Sequence, residues 1–339
     1  MARQIKCFVL LSGGLDSMLA VKVLQAQGIQ VTGLTFQSYF FGPDSAQAAA
    51  NQLKIPLKII DFSGEHLQIV KNPPHGRGKA ANPCIDCHLL MLRQAQKIMA
   101  KDGYQFVATG EVLGERPFSQ SKVALLKIAD QSGLGERPFS QSKTALLEIA
   151  TQSGLGERLL RPLSAALLPK TQPEKRGWVD VQKLPAIEGR SRQIQLALAK
   201  QYGLKQFPQP AGGCLLTDKV FGQKLLTMLA KWPSESGGNN VQLVKLSRHF
   251  WDGEVLIVLG RNQLENERLA ALVKEDDFLL VPQNFPGPSA LLRGHQITPA
   301  VIAKAKQLIL QYTKKKPAVA QFTAVPANYS PVPGTSAQA

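Results

Sequence analysis

Three groups of residues have the types and spacing to do chemistry. The first is Ser12-Gly13-Gly14-Leu15-Asp16-Ser17, set between an apolar run at residues 5–11 and a helical pattern at 17–27. Glycines let backbone N–H groups approach an anion closely, and a helix N-terminus adds its positive dipole. The turn holds no lysine and no Gly-Lys-Ser/Thr, so it is not a Walker loop. The second group is Asn82-Pro83-Cys84-Ile85-Asp86-Cys87-His88, which opens a helix, together with Cys214 after Pro210-Ala211-Gly212-Gly213. A thiolate near a helix start is stabilised by the dipole. Cys84, Cys87 and Cys214 could hold three irons of a [4Fe–4S] cluster and leave the fourth open for a sulfide. Alternatively, Cys84 and Cys214 could form a pair that carries a persulfide and releases it through a disulfide, with Cys87 a bystander. Zinc, with His88 as fourth ligand, is a third option. The remaining cysteine, Cys7, lies inside the first apolar run and reads as core.

The third group is basic. His75-Gly76-Arg77-Gly78-Lys79 precedes the first cysteines, and residues 157–192 carry eight Lys or Arg against four acids. Arg77, Lys79, Arg190 and Arg192 could contact an RNA backbone, where each neutralised phosphate adds salt-sensitive affinity. Arg190 and Arg192 could equally hold a nucleotide.

The elements that must position these groups alternate. Residues 5–11, 29–36, 57–62 and 104–109 read as strands, and residues 17–27, 45–53 and a stretch after Cys84 as helices. Strand–helix alternation with short connections predicts an α/β fold, a parallel sheet with helices on both faces. Ligands then bind outside the carboxyl ends of the strands, where the glycine turn lies.

The turn resembles the SGGxDS pyrophosphate loop of the PP-loop ATP pyrophosphatases. That resemblance implies ATP as substrate, with Ser12, Gly13, Gly14 and Ser17 on the phosphates and Asp16 helping to hold Mg²⁺. Together with the NPCxxC element, a strand ending Val107-Ala108-Thr109-Gly110 and the late Gly-Gly-Cys, the chain is similar to the tRNA thiouridine synthases over residues 5–220. In that family ATP adenylates a uridine carbonyl and sulfur then displaces AMP. The resemblance implies Cys84 and Cys214 as sulfur-handling residues, Thr109 and Gly110 at the nucleotide, tRNA as substrate, and a cysteine desulfurase or sulfur carrier as donor. Glu111 stands where the two-thiouridine synthases usually have histidine, which leaves the target base open. The rival readings are a PP-loop amide- or amine-forming ligase, which needs no placed cysteines, and a non-catalytic nucleotide- and RNA-binding protein.

Composition agrees with a polyanionic partner. Forty Lys and Arg against 24 Asp and Glu give a net charge of +16. No stretch approaches the roughly 18 apolar residues of a membrane helix, and no amphipathic anchor is apparent, so no membrane partner is expected. Four cysteines in 339 residues point to a reducing compartment, the cytoplasm. Residues 113–154 are a tandem repeat, two 21-residue copies identical at 18 positions, and the fold is expected to use one copy on its sheet. The expected domains are 1–233 and 240–312, with a linker at 234–239 and a disordered basic tail at 313–339. In the second, an α+β unit, Gly260-Arg261-Asn262 with Glu265-Asn266 looks similar to the RNA-binding module of the NFACT proteins, which would make Arg261 an RNA contact.

Overall fold

The computed structural model describes residues 4–115, 143–208, 214–234, 237–246 and 248–325. The apolar runs of the first half build β1 (Lys6–Leu10), β2 (Gln30–Gln37), β3 (Leu57–Asp61), β4 (Phe106–Thr109) and the short β5 (Leu159–Leu160). Between and beyond them lie α1 (Leu15–Gln25), α2 (Asp44–Leu53), α3 (Ser63–Lys71), α4 (Cys84–Asp102), α5 (Lys143–Gln152), α6 (Gln172–Lys175) and α7 (Gln193–Gln201). All strand pairs are parallel, in the order β3-β2-β1-β4-β5. Period-2 alternation along β1 explains the two layers. Cys7 and Val9 enter one apolar core with residues of α1, α2 and α7, whereas Phe8 enters the other with α4 and α5. The α/β fold with helices on both faces is thus present. Burial pushes the Cys7 thiol far up, as a core cysteine requires.

The chain runs outward from β1 through β2 to β3, then returns to β4 on the other side of β1. The carboxyl ends of β1 and β4 therefore flank the topological switch point, the usual ligand crevice of such sheets.

The helix of the second repeat copy is α5. Leu146, Ile149 and Ala150 are buried, and the last two join the core layer beneath α4. Full burial of such a side chain contributes about 1.5–3 kcal/mol. The helical part of the first copy, and residues 209–213 before Cys214, lie outside the described residues.

The contacts divide the chain at Met1–Lys219 and Val220–Ala339, earlier than the expected end of the first domain at 233. The reason lies in residues 220–232: Trp232 is buried, donates its indole N–H to the Glu254 carbonyl at 3.0 Å and packs edge-on to Trp251. The second unit contains α8 (Lys219–Lys231), α9 (Gly238–Lys245), β6 (Arg248–Asp252), β7 (Val255–Leu259), α10 (Gln263–Ala271), β8 (Phe278–Pro282), β9 (Ala290–Arg293), α11 (Pro299–Gln311) and β10 (Phe322–Val325). Its sheet is antiparallel, in the order β10-β8-β9-β7-β6. Part of the expected disordered tail is therefore a strand. Phe322 and Thr323 pair with Pro282 and Val281, and Phe322 packs on the core under α11. Helix α9 likewise begins inside the expected linker, at Gly238.

Candidate functional site

The glycine turn forms because β1 ends at Leu10 and α1 starts at Leu15, leaving four residues to reverse the chain. Gly13 takes φ +82°, and a β-carbon there would collide with the backbone of Ser45. Gly14 is the N-cap of α1 but supplies no side-chain cap, so the first N–H groups of the helix have no side-chain acceptor from that position. The Ser12 and Ser17 hydroxyls lie 3.3 Å apart, and the Ser17 hydroxyl donates to the Gly14 carbonyl at 2.7 Å. Asp16 stands in the first turn of α1. This cradle of two hydroxyls, an uncapped helix start and a first-turn carboxylate fits a phosphate chain with a hard cation. A cleft of about 770 Å³ opens beside Gly13, lined also by Ser45, Asn51, Gln52, Lys205 and Phe207.

From the far side of the switch point, β4 closes on the same turn. A β-carbon on Gly110 would lie 2.5 Å from the Ser17 nitrogen and 2.6 Å from the Asp16 carbonyl carbon, so only glycine lets the two chains approach. Thr109 is buried and donates its hydroxyl to Glu111 at 3.0 Å. Arg161, immediately after β5, reaches the same carboxylate with Nε at 2.9 Å and donates from Nη2 to the Leu146 carbonyl of α5 at 2.9 Å. His88 stands 3.6 Å from the other carboxylate oxygen. Burial alone would push Glu111 up, but the Arg161 charge and His88 outweigh it and hold the carboxyl well below the usual range. Glu111, at the position where histidine was the family expectation, is thus a buried anion held by the Arg161 guanidinium and faced by His88.

The cysteines are brought together at the same edge of the sheet. Cys84 and Cys87 lie in the first turn of α4, which begins at the carboxyl edge because it leads into β4. The segment carrying Cys214 is tied down by two backbone bonds, Leu215 N–H to the Phe40 carbonyl at 3.3 Å and Ala81 N–H to the Leu216 carbonyl at 3.1 Å. Cys84 and Cys214 are near enough that their charges oppose ionisation of Cys87, whose thiol burial already pushes well up. Burial raises Cys214 to about 11, with the Leu216 N–H pulling down and Cys84 adding to the rise. No disulfide joins them. Among the described residues, no three His, Cys, Asp or Glu side chains are grouped to hold a metal ion. Nothing among the described residues supports the expected cluster on Cys84, Cys87 and Cys214, or zinc with His88.

Between the two α4 cysteines, Asp86 is buried and accepts from His75 twice, from the backbone N–H at 3.1 Å and against Nδ1 at 2.6 Å. Sequence reasoning passed over this pair. The signal was an acid placed between two helix-start cysteines, where only a partner from the preceding loop could balance its burial.

The basic candidates fare unevenly. Arg77, partly exposed, donates to the Val70 and Lys71 carbonyls at 2.8 and 2.9 Å, closing the C-terminus of α3. Lys79 and Arg190 are exposed, and Arg192 is half-buried at the start of α7. In the second unit, Arg261 pairs with Glu265 through Nε at 3.1 Å and Nη2 at 2.8 Å. Asn262 caps α10 by accepting from the Glu265 N–H at 2.9 Å, and Asn266 accepts from Ser289 N–H at 3.0 Å. Arg261 stays exposed while it pairs, whereas Asn262 and Asn266 hold the turn itself.

Comparison with known proteins agrees with both halves. Residues 5–132 match the family described as tRNA methyl transferase HUP domain, and residues 248–326 the NFACT protein RNA binding domain. The tRNA-specific 2-thiouridylase MnmA of Syntrophotalea carbinolica is 33% identical over 120 residues, covering 30% of this chain and 33% of that protein. The MnmA of Endomicrobium trichonymphae is 32% identical over 110 residues, covering 26% and 31%. The chain thus spans about a third of the length of the curated relatives it matches. A crystal structure of a predicted tRNA methyltransferase subunit from Methanocaldococcus jannaschii overlaps 49% of this chain and 68% of its own, at 15% identity and a TM-score of 0.28. No helix among the described residues is long and apolar enough to cross a membrane. An open glycine turn at a parallel-sheet switch point thus lies within residues 5–132, the stretch similar to the tRNA methyl transferase HUP domain, and a small antiparallel sheet within residues 248–326, the stretch similar to the NFACT protein RNA binding domain.

Proposed function

We propose that the chain is an ATP-dependent tRNA sulfurtransferase acting in a reducing, cytoplasmic setting. The observation that carries this reading is one edge of one sheet: the uncapped turn at Gly14 and the grouped Cys84, Cys87 and Cys214 both belong to it. An amide- or amine-forming ligase would use the first and leave the second without work.

In this reading Ser12, Gly13, Gly14 and Ser17 hold the pyrophosphate half of ATP, and Asp16 helps hold Mg²⁺, which neutralises charge on the departing group. Thr109 and Gly110 form the opposite wall. The carbonyl oxygen of a tRNA base attacks the α-phosphate, pyrophosphate leaves, and the base carbon becomes the electrophile. A persulfide on one of Cys84 and Cys214, loaded by a cysteine desulfurase or sulfur carrier, attacks that carbon and AMP departs. The other thiol then takes the inner sulfur, forming a Cys84–Cys214 disulfide and leaving sulfur on the base; a dithiol reductant restores the pair. Burial keeps Cys214 protonated at neutral pH, so the reading requires loading of sulfur to precede attack. Arg190, Arg192 and Lys79 are the candidate contacts to the tRNA backbone.

The test is reconstitution with ATP, Mg²⁺, unmodified tRNA, sulfur-labelled cysteine, a cysteine desulfurase and a dithiol reductant. The expected outcome is one AMP and one pyrophosphate per thiolated nucleoside, read by mass spectrometry of the digested tRNA. Release of ADP, or AMP formation without sulfur in the tRNA, would overturn the reading.

A further inference from the structure

Arg261, exposed but paired with Glu265, is one candidate RNA contact of the second unit, and a second candidate surface lies along β6. β6 is an edge strand of its sheet, and its alternate residues Arg248, Phe250 and Asp252 share one face. The Arg248 guanidinium lies 4.4 Å from the ring centre of Tyr312, just past the end of α11, and the Phe250 ring stands 5.9 Å from the same ring. Four residues along the strand, Asp252 meets Lys304 at 3.3 Å. Four strand residues rise about 13 Å and eight helical residues about 12 Å, so β6 and α11 run side by side with Arg248 and Tyr312 at one end of the seam.

At that end the chain continues as Lys314-Lys315-Lys316, all exposed. No acidic residue occurs from Ile302 to the C-terminus. Among the described residues Arg248 has no carboxylate partner, in contrast to Arg261 and Arg293. Tyr312 is 38% exposed, unusual for an aromatic ring stacked against a core. A planar cation resting on an exposed ring beside three free lysines is a combination that suits a nucleobase and its flanking phosphates: bases stack on guanidinium and aromatic planes, and lysines follow the backbone.

We propose that the end of the β6–α11 seam binds single-stranded RNA, with a base stacked on the Arg248–Tyr312 pair and the adjoining phosphates held by Lys314, Lys315 and Lys316. An anionic lipid surface would satisfy the lysines but has nothing planar to place on Arg248, so RNA is the occupant the geometry favours. The proposal rests on the reading of residues 248–326 as an RNA-binding domain.

It is tested on the full chain by fluorescence anisotropy with a fluorescein-labelled single-stranded RNA of about 12 mixed nucleotides. Tyr312→Ala and Arg248→Gln should each weaken binding about tenfold, and Tyr312→Phe, which keeps the ring, should bind like wild type. Replacing the three lysines by glutamine should flatten the dependence of log affinity on log salt by about 2, the value for three phosphates on a single strand. Melting curves identify any variant that fails to fold, and Arg248→Gln and the lysine variant carry the test if Tyr312→Ala does. Wild-type affinity in all the folded variants would overturn the surface while leaving the RNA-binding reading intact. Absence of binding by the wild type would overturn both. Equal loss in Tyr312→Ala and Tyr312→Phe would overturn stacking. Loss of binding to phosphatidylserine vesicles without loss of RNA affinity would assign the surface to membrane instead.

Discussion

Two turns in this molecule share a plan, strand–glycine–helix, and reach opposite ends. After β1, the Ser12–Ser17 turn leaves the start of α1 without a side-chain cap, its hydroxyls turned to one another and to the Gly14 carbonyl. After β7, the Gly260–Asn262 turn is closed from within: Asn262 caps α10, Glu265 folds back on Arg261, and Asn266 packs so tightly against Gly260 that a β-carbon could not fit. Both expose glycine and polar residues in the sequence. The difference lies at the N-cap: Asn262 closes its helix start with its own side chain, whereas Gly14 has none to offer and leaves room beside the turn, and a helix start with such room is a place where an anion can bind.

The sharpest way to break the contrast is to fill the open turn. Gly110→Ala drives a methyl group into the backbone at Asp16 and Ser17, and Asp16→Asn removes the first-turn charge while keeping its shape. Either should lower tRNA-dependent AMP formation 100-fold or more, because small misplacements of reacting groups cost that much. AMP formation at the wild-type rate by Asp16→Asn would remove the nucleotide from this turn.

The second test removes the support behind it. Arg161→Met leaves Glu111 buried without its main counter-charge, a loss of about 3 kcal/mol in chemical unfolding. The sign with pH follows from the lowered Glu111 carboxyl: its stabilisation is complete above about pH 4.3, the unfolded value, and is lost as pH falls below that. Wild type should therefore lose stability on acidification below about pH 4.3 more steeply than Glu111→Gln. Parallel curves would show that the pair contributes nothing.

A subtler substitution makes the open turn resemble the closed one. Gly14 has φ −72° and ψ 156°, extended values any residue adopts, and a β-carbon there is in ordinary contact. Gly14→Asp should cap α1, hold or raise the melting temperature, and weaken ATP binding about tenfold by placing a carboxylate where phosphate oxygens belong. Unchanged ATP affinity by calorimetry would separate the helix start from the nucleotide. In the closed turn, Asn262→Ala should cost about 1 kcal/mol of stability, the usual worth of a cap, and leave RNA affinity at the wild-type level. A drop in RNA affinity without a drop in stability would return the turn to the RNA.

The parallel sheet and the glycine turn were legible because both are local. Apolar runs and a strand–turn–helix junction carry their own periodicity and geometry. Cys84 and Cys87 were legible as a pair by spacing, but bringing Cys214 to them depends on backbone bonds at Phe40 and Ala81, far along the chain and with no pattern of their own. The mutual satisfaction of Arg77 with the α3 carbonyls, or of Arg261 with Glu265, is likewise invisible in composition, since a lone arginine reads the same whether spent or free. The strand Phe322–Val325 was hidden by its setting, four ordinary residues among proline, alanine and lysine that form a strand only because β8 offers an unpaired edge.

The docking of α5 has one more implication. The residues it buries, Leu146, Ile149 and Ala150, have the same residue types in the first copy at Leu125, Ile128 and Ala129. The bond that fastens it to Arg161 runs from a backbone carbonyl, which any residue supplies. Two segments of one chain are therefore near-equivalent keys for a single lock, told apart only by Val123 against Thr144, Lys127 against Glu148 and Asp130 against Thr151. Such degeneracy is the reverse of the energy gap that ordinarily singles out one arrangement. By residue type, then, the first copy's sequence offers the same three apolar side chains that the second copy buries, two of them in the layer beneath α4.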